Sequence, residues 1–293
     1  MVTFDASKFN LPFMKYRKIA YAISLTAILL SIGLLVVKGL NPSVDFTGGL
    51  VFQIRFEQPV EVVNVRSSLS EVGFGQATIQ AYDDHDILIR LQAEDEEARK
   101  VVLDTLKQSL GDFTVQKIDK VGPVVGKELR QQALISLVLA LAGILLYMAF
   151  RFRFRFGVAA VLSLVHDSII MLGMYSLTGK EISVTFIAAV LTVIGYSLND
   201  SIVVLDRVRE NWSQIRGKGP LELVDNSINQ TLSRTVNTSV TTLLPVLAMY
   251  FFGGEVISNF AFAFIIGIVV GTYSSVYIAS AIVADWYLRS PKY

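Results

Sequence analysis

Residues 182–205 read ISVTFIAAVLTVIGYSLNDSIVVL, and the single charged residue in these 24 positions is Asp200. A helix needs about 20 mostly apolar residues to cross the hydrocarbon core of a bilayer, so this stretch is long enough to span it. The whole sequence has the same character. Of its 293 residues, 53% are hydrophobic and 17% are charged, and the mean hydropathy is +0.53. So little charge is unusual for a soluble protein. The chain is therefore expected to be an integral membrane protein.

Five other stretches match the first in length and apolar character, which predicts six transmembrane helices. The predicted spans are residues 19–38, 133–150, 157–177, 182–205, 235–254 and 256–288. Lys and Arg are concentrated in the alternate connections, namely the N-terminal segment 1–18, the loops 151–156 and 206–234, and the tail 289–293. Because cytoplasmic loops are enriched in these residues, both termini are expected to be cytoplasmic and residues 39–131 to lie outside.

The polar residues 39–131 are expected to form a folded domain between the first two spans. Four segments alternate apolar and polar residues with the period of a strand: 50–56, 77–82, 86–91 and 113–118. Residues 60–72 and 94–110 place apolar side chains on one helix face. The order βαββαβ is that of the ferredoxin-like split motif. The predicted fold class is thus a multi-span α-helical membrane protein with six transmembrane helices and one α+β ferredoxin-like periplasmic domain between spans one and two.

A polar site is predicted where spans four and five meet. Asp200 is an ionisable residue within a span, which is costly and therefore suggests a function. Asn199 lies beside it, and Arg234, Asn237 and Thr238 share one helix face at the start of span five. Burial favours a protonated Asp and a nearby Arg favours a charged one, so such a pair can take up and release a proton. The alternatives are a structural ion pair and a hydrated cytoplasmic vestibule.

A second intramembrane acid, Asp167, lies near the middle of span three, about 15 Å deep at 1.5 Å per residue. It is a further candidate for the proton pathway. The alternative is a buried hydroxyl network with His166, Ser163 or Ser168.

Small residues in span six indicate close helix packing. Gly267, Gly271 and Ser275 recur every four residues, a spacing that lets another helix approach closely.

Several classes of function are disfavoured by composition. The chain has no cysteine and two histidines, so disulfides, thiolate chemistry and Cys-ligated metals are excluded. A net charge of +1 gives no electrostatic basis for nucleic-acid binding. No cofactor motif, metal cluster or catalytic set stands out, so neither a cofactor nor an enzymatic activity is expected.

Several motifs together resemble the SecF family of protein-export membrane subunits, and the likeness extends over essentially the whole chain. They are VDFTGG at 44–49, VHD at 165–167, IGYSLNDSIVV at 194–204, DRVREN at 206–211, TLSRT at 231–235 and FGG at 252–254. The string from 194 to 211 is specific, whereas DFTGG also resembles a motif of the companion SecD subunits.

The resemblance implies a six-span half of a pair with SecD, within the resistance-nodulation-division transporter superfamily. Its expected partners are SecD, the SecYEG channel, the translocating preprotein and membrane lipids, in the bacterial cytoplasmic (inner) membrane. The motif match assigns the proton-pathway acid to Asp200 and its arginine to Arg234. The expected coupling ion is H⁺, and a carboxylate in a polar pocket could also bind Na⁺. The expected function is export of preproteins driven by the proton motive force.

The turn after span one is a candidate for the coupling between the membrane part and the outer domain. It contains Asp45, Phe46, Gly48 and Gly49, and its two glycines permit backbone conformations that other residues avoid. The alternative is an ordinary tight turn into the first strand.

Two other functions remain open at this point. One is a proton-coupled exporter of small molecules or lipids from the same superfamily. The other is a passive scaffold of the translocation complex, for which the Asp200 carboxylate would be dispensable.

Overall fold

The computed structural model describes residues 11–93, 95–152, 154–214 and 219–289. Predictions for Arg153 in the loop 151–156 and for residues 215–218 in the loop 206–234 lie outside this part. The same holds for residues 1–10 of the N-terminal segment and 290–293 of the tail.

Helices make up most of the described chain. They are α1 (Arg17–Val37), α2 (Val44–Thr47), α3 (Val62–Glu71), α4 (Glu96–Leu110), α5 (Pro123–Arg151), α6 (Phe154–Thr178), α7 (Val184–Gln214), α8 (Pro220–Phe252), α9 (Gly254–Ser274) and α10 (Ser280–Arg289). The strands are β1 (Asn41–Pro42), β2 (Gly49–Phe56), β3 (Thr78–Ala81), β4 (Asp86–Leu91), β5 (Phe113–Val121) and β6 (Glu181–Ile182). A 3₁₀ turn, Phe13–Tyr16, precedes α1, and a π-helical turn, Ser275–Ala279, joins α9 to α10.

Within the described residues, six helices are long and apolar enough to cross a membrane, which confirms the predicted number. They are α1, α5, α6, α7, α8 and the continuous α9–α10. The connection predicted as loop 206–234 is largely helical, because α7 continues to Gln214 and α8 begins at Pro220. Pro220 suits the first helical turn, where its missing N–H would have no partner. Beyond the apolar run, the ion pairs Arg207–Glu210 and Arg209–Asp206 lie three residues apart and stabilise α7.

The α+β domain has the predicted ferredoxin-like topology. Its sheet has the order β3-β4-β2-β5, and every neighbouring pair is antiparallel. Alternate residues of β2, including Phe52 and Ile54, are fully buried together with Leu69 of α3 and Leu106 of α4. Burying each of these side chains contributes roughly 1.5–3 kcal/mol, so this layer is the domain's own hydrophobic core.

An aspartate closes the hairpin between β3 and β4. Asp83 Oδ1 accepts hydrogen bonds from the backbone N–H groups of His85 and Asp86, each at 2.7 Å. These two hydrogen bonds lower the pKa of Asp83, because they stabilise its ionised form.

The transmembrane helices form an inner and an outer group. Helices α6, α7 and α9 lie at the centre, whereas α1, α5 and α8 lie outside and expose most of their apolar surface. The outer helices therefore offer faces to lipid or to another membrane protein, while the central three hold the polar residues described below.

The domain is attached to the bundle through the segment between α6 and α7. β1 pairs in parallel with β6, and Arg90 of β4 forms a 2.7 Å salt bridge with Glu181. Asp45 Oδ2 accepts the backbone N–H of Val184, at the first residue of α7, at 3.2 Å. A negative side chain at a helix N-terminus is favourable, so Asp45 joins the turn after α1 to the start of α7.

Candidate functional site

Asp200 lies on α7 and is 2% exposed. Its Oδ2 atom is buried and has no hydrogen-bond partner among the residues that the structure describes. Ser197 and Ser201 on the same helix are also buried, but their hydroxyls are directed to α6. Asn199, the neighbouring candidate, is exposed. Asp200 is therefore a buried acid whose charge is not offset by a hydrogen bond at one of its two oxygens.

Arg234 lies on α8, which packs against α7. Among the residues that the structure describes, no salt bridge joins it to Asp200. Arg234, Asn237 and Thr241 are exposed in this single chain, and Thr238 between them is half-buried. We call these four residues the α8 polar stripe. The structure brings the two helices together and leaves this stripe uncovered.

Two more buried polar atoms lie on the same pair of helices. Within the described part of the chain, the hydroxyls of Tyr196 on α7 and Thr235 on α8 are buried without a hydrogen bond, as is Asp200 Oδ2. Buried polar groups are normally paired, so unpaired ones on adjoining helices are a sign of a site completed by protons, water or a partner.

Asp167 has very different surroundings, because both of its oxygens are hydrogen-bonded. Its Oδ1 lies 2.8 Å from His166 Nδ1. Its Oδ2 accepts the hydroxyls of Ser197 on α7 at 2.6 Å and Ser274 on α9 at 2.8 Å. Asp167 and His166 are each 4% exposed, so this is a buried network between three helices.

The network continues from His166 to α1. His166 Nε2 lies 3.0 Å from Ser24 Oγ, which lies 3.1 Å from the Tyr273 hydroxyl, and that hydroxyl donates to the carbonyl of Ala20. Since Tyr273 uses its proton on Ala20, Ser24 donates to Tyr273 and must accept from His166 Nε2–H.

This chain of donors fixes the charge of the acid–histidine pair. With Nε2 protonated, the contact at Nδ1 joins either imidazolium to carboxylate or neutral imidazole to a protonated Asp167. Both arrangements have no net charge, so the pair is tolerated deep in the bundle without a counter-ion. Ser24, Tyr273 and Ser274 were not singled out in the sequence. Their hydroxyls within apolar spans were the available signal, but nothing indicated which helices would meet.

The small residues of span six lie against α7. A Cβ on Gly267 would overlap the side chain of Val193, and one on Gly271 would lie 2.9 Å from Ser197 Cβ. Ser275 is fully buried in the π-helical turn, where its carbonyl accepts the hydroxyl of Ser280.

The turn after span one is closely packed. Val44–Thr47 is a short helix, and Gly49 has φ +146° with its Cα facing the carbonyl oxygen of Leu91, where a Cβ would collide. Phe46 and Gly48 contact Gly126 near the start of α5. The turn therefore touches the sheet, α5 and, through Asp45, the start of α7.

Within the described ranges, no group of three or more His, Cys, Asp or Glu residues could hold a metal ion. The chemistry that these residues can perform is proton binding. An unpaired buried carboxylate is costly when charged, and taking up a proton removes that cost.

Two protein-family descriptions match the sequence. Residues 101–289 match "Protein export membrane protein SecD/SecF, C-terminal", and residues 33–60 match "SecD/SecF GG Motif". The second match contains the turn that includes Asp45 and Gly49.

Relatives match over nearly the full chain. The protein translocase subunit SecF of Desulfurispirillum indicum is 45% identical over 291 residues, covering 95% of this chain and 92% of the relative. The protein translocase subunit SecDF of Thermus thermophilus is 47% identical over 288 residues, which are 95% of this chain and 38% of that protein.

A solved structure has the same fold. The crystal structure of SecDF, a translocon-associated membrane protein from Thermus, superposes with a TM-score of 0.85 at 47% identity. The match covers 96% of this chain and 39% of that one, so this chain corresponds to about two fifths of the fused protein.

Proposed function

The chain belongs to the SecD/SecF family of protein-export membrane proteins as a SecF translocase subunit, and we propose that with SecD it uses the proton motive force to assist and complete preprotein export. The proposed location is the bacterial cytoplasmic membrane, with both termini cytoplasmic and the α+β domain outside. We propose transport without covalent catalysis. SecYEG and the preprotein are the other proposed partners.

The unpaired, buried carboxylate of Asp200 carries this proposal. A proton that crosses the membrane potential releases about 2.3 kcal/mol per 100 mV. Asp200 is the proposed acceptor, and Arg234, Asn199, Asn237 and Thr238 are the proposed polar surroundings through which the proton arrives or leaves. The neutral pair of His166 and Asp167 lies beside this route, and a proton-carrying role for Asp167 stays a prediction.

The α8 polar stripe supports a partner that is itself a membrane protein. Exposed Arg, Asn and Thr side chains on a membrane helix are costly against lipid and favourable against another protein. The Thermus relative is a SecDF protein in which the matched part is about two fifths of the chain. A separate SecD subunit is therefore the proposed cover for the stripe.

Helix α7 offers a mechanical connection between proton binding and the outer domain. Asp200 lies 16 residues after Val184, about 24 Å along the helix. Val184 is hydrogen-bonded to Asp45, and Glu181 just before it is paired with Arg90. A shift of α7 upon protonation of Asp200 would thus act directly on the domain through these two contacts.

The test is export in cells that carry Asp200→Asn, because Asn keeps the size of the side chain but cannot bind and release a proton. We expect preproteins to accumulate as in cells lacking the chain, while membrane amount and SecD association stay normal. Asp206→Asn is the matched control, since this half-buried acid lies six residues further along α7 and is paired with Arg151 and Arg209.

Three outcomes would contradict parts of the proposal. Normal export by an assembled Asp200→Asn variant would favour the passive scaffold. If cells lacking the chain export preproteins normally and are only sensitive to solutes, a small-molecule or lipid exporter would be favoured. Export by the wild type that follows a sodium gradient and resists a proton uncoupler would replace H⁺ by Na⁺.

A further inference from the structure

A polar cleft of about 580 Å³ lies between the α+β domain and the bundle. On the domain side it is lined by residues 76–80, Arg66 and Arg90. On the bundle side it is lined by residues 178–181 and Asn259. It is separate from the polar groups inside the membrane, and the proposed proton pathway does not use it.

The domain wall of the cleft is the edge of the sheet. In the described part of the chain, β3 is the outermost strand of the four-stranded sheet and pairs with β4 alone. Five consecutive residues, 76–80, line the cleft, although successive side chains of a strand point to opposite faces. The cleft therefore borders the backbone edge of β3.

The hydrogen-bond pattern shows which backbone groups lie at this edge. The N–H of Tyr82 donates to the carbonyl of Asp86, so Tyr82, Gln80 and Thr78 are the residues whose backbone groups bond to β4. By the same alternation, the N–H and C=O of Ile79 point away from β4, toward the cleft. Among the described residues these two groups have no hydrogen-bond partner, whereas the N–H and C=O of Ala77, two positions earlier, are bonded to Phe74 and Arg66. The Ile79 groups can therefore pair with another extended strand.

Two amide side chains in the cleft wall each have an oxygen that accepts no hydrogen bond from a described residue. Gln80 is 3% exposed, and its Oε1 has no hydrogen-bond partner in the described ranges of the chain. Across the cleft, the Asn259 Nδ2–H donates to the carbonyl of Glu181 at 2.8 Å, while no described residue donates to its buried Oδ1. A ligand that brings N–H groups would satisfy both acceptors.

The charges around the cleft are already paired or occupied. Arg90 is bound to Glu181, and Arg66 donates to the carbonyls of Gly75 and Ala77. Asp45 accepts the backbone N–H of Val184, and the Lys180 ammonium lies over the rings of Tyr250 and Phe262. The wall therefore does not select a strongly charged ligand. It suits an uncharged chain that carries both donors and acceptors, which is the chemistry of an extended polypeptide backbone.

We propose that an extended segment of the exported, unfolded polypeptide pairs with the free edge of β3 in this cleft, as a fifth strand of the sheet. Pairing through main-chain groups gives affinity with little demand on side chains, as an exporter of many sequences requires. The inference rests on the proposed function in export. It adds a place where the chain is held just outside the membrane.

Because the sequence has no cysteine, one can be introduced at a chosen position. Gln76 is exposed at the edge of the cleft, so Gln76→Cys places a thiol there. Lys120→Cys is the matched control, because it is exposed on β5, the opposite edge, near the level of Thr78 and Arg90 in the sheet register. Both variants are placed in membrane vesicles containing the full chain, SecD and the channel. The probe is a single-cysteine preprotein stalled during export by a folded C-terminal domain.

We expect the preprotein to form a disulfide with Gln76→Cys about tenfold more than with Lys120→Cys, since pairing raises the local concentration of one thiol at the other. Attaching a bulky maleimide at Gln76→Cys should slow export, and the same label at Lys120→Cys should not. Equal cross-linking at both edges, or cross-linking of Gln76→Cys to SecD instead of the preprotein, would overturn the inference. If export depends on the chain but neither result appears, the proposed function stands and the β3 site is wrong.

Discussion

The two acids buried in the membrane part show how a few hydrogen bonds separate a stable polar group from a reactive one. Asp167 has three partners, one of which is His166 in a pair without net charge, whereas Asp200 Oδ2 has none among the described residues. The first is therefore suited to holding helices together. The second can gain stability by binding a proton.

Ser24→Ala tests the role of the buried network. The change removes the acceptor of His166 Nε2–H and the donor to Tyr273, and a buried group left unsatisfied costs about 1–3 kcal/mol. We expect a lower thermal unfolding temperature for the purified chain in detergent. Thr26→Ala on the same helix is the control, because this exposed hydroxyl donates to the carbonyl of Ala22, one turn earlier in its own helix. Equal unfolding temperatures for the two variants would show that the network does not contribute to stability.

At the scale of helices and strands, the central contact is that of α7 with α9, where Gly267 faces Val193. We expect Gly267→Ala to destabilise the chain by about 1–3 kcal/mol through overpacking. Gly143→Ala on α5 has open space around it and should not destabilise the chain, because Ala favours a helix more than Gly does. Adding Val193→Ala to Gly267→Ala should restore part of the loss, because it removes the atoms that the new methyl group meets. Additive losses in the double variant would contradict this packing.

Elements of this fold could be predicted where one physical rule dominates. Bilayer thickness sets the length of an apolar span, and period-two alternation marks β2 and β4, so the six helices and the βαββαβ order followed from the sequence. The helical ends of α7 and α8 in residues 206–234 did not, because polar helix-forming residues resemble a solvated loop. The contact of His166 with Ser24 joins residues 142 positions apart, which local periodicity does not reveal. The exposure of Arg234 depends on which helices pack beside α8, and this is not visible in local periodicity either.

At the scale of the whole molecule, the central helices α6, α7 and α9 are covered on several sides, but the polar stripe on α8 is uncovered. This is the surface that a partner subunit would cover. We expect a photoactivatable cross-linker attached at Thr241→Cys to capture SecD in membranes. The same reagent at Val240→Cys, one position away and about 100° around the helix, should react mainly with lipid. Capture of SecD from both positions or from neither would mean that the stripe is not the contact surface.

The uncovered stripe also affects how long a subunit without its partner survives in the cell. A subunit with Arg234 and Asn237 facing lipid is less stable than the same subunit in a complex, because binding stabilises the folded form by mass action. Copies made in excess of their companion spend more time partly unfolded and are open to membrane proteases. The scarcer of the two subunits then sets the number of working complexes, and quality control removes the surplus of the other.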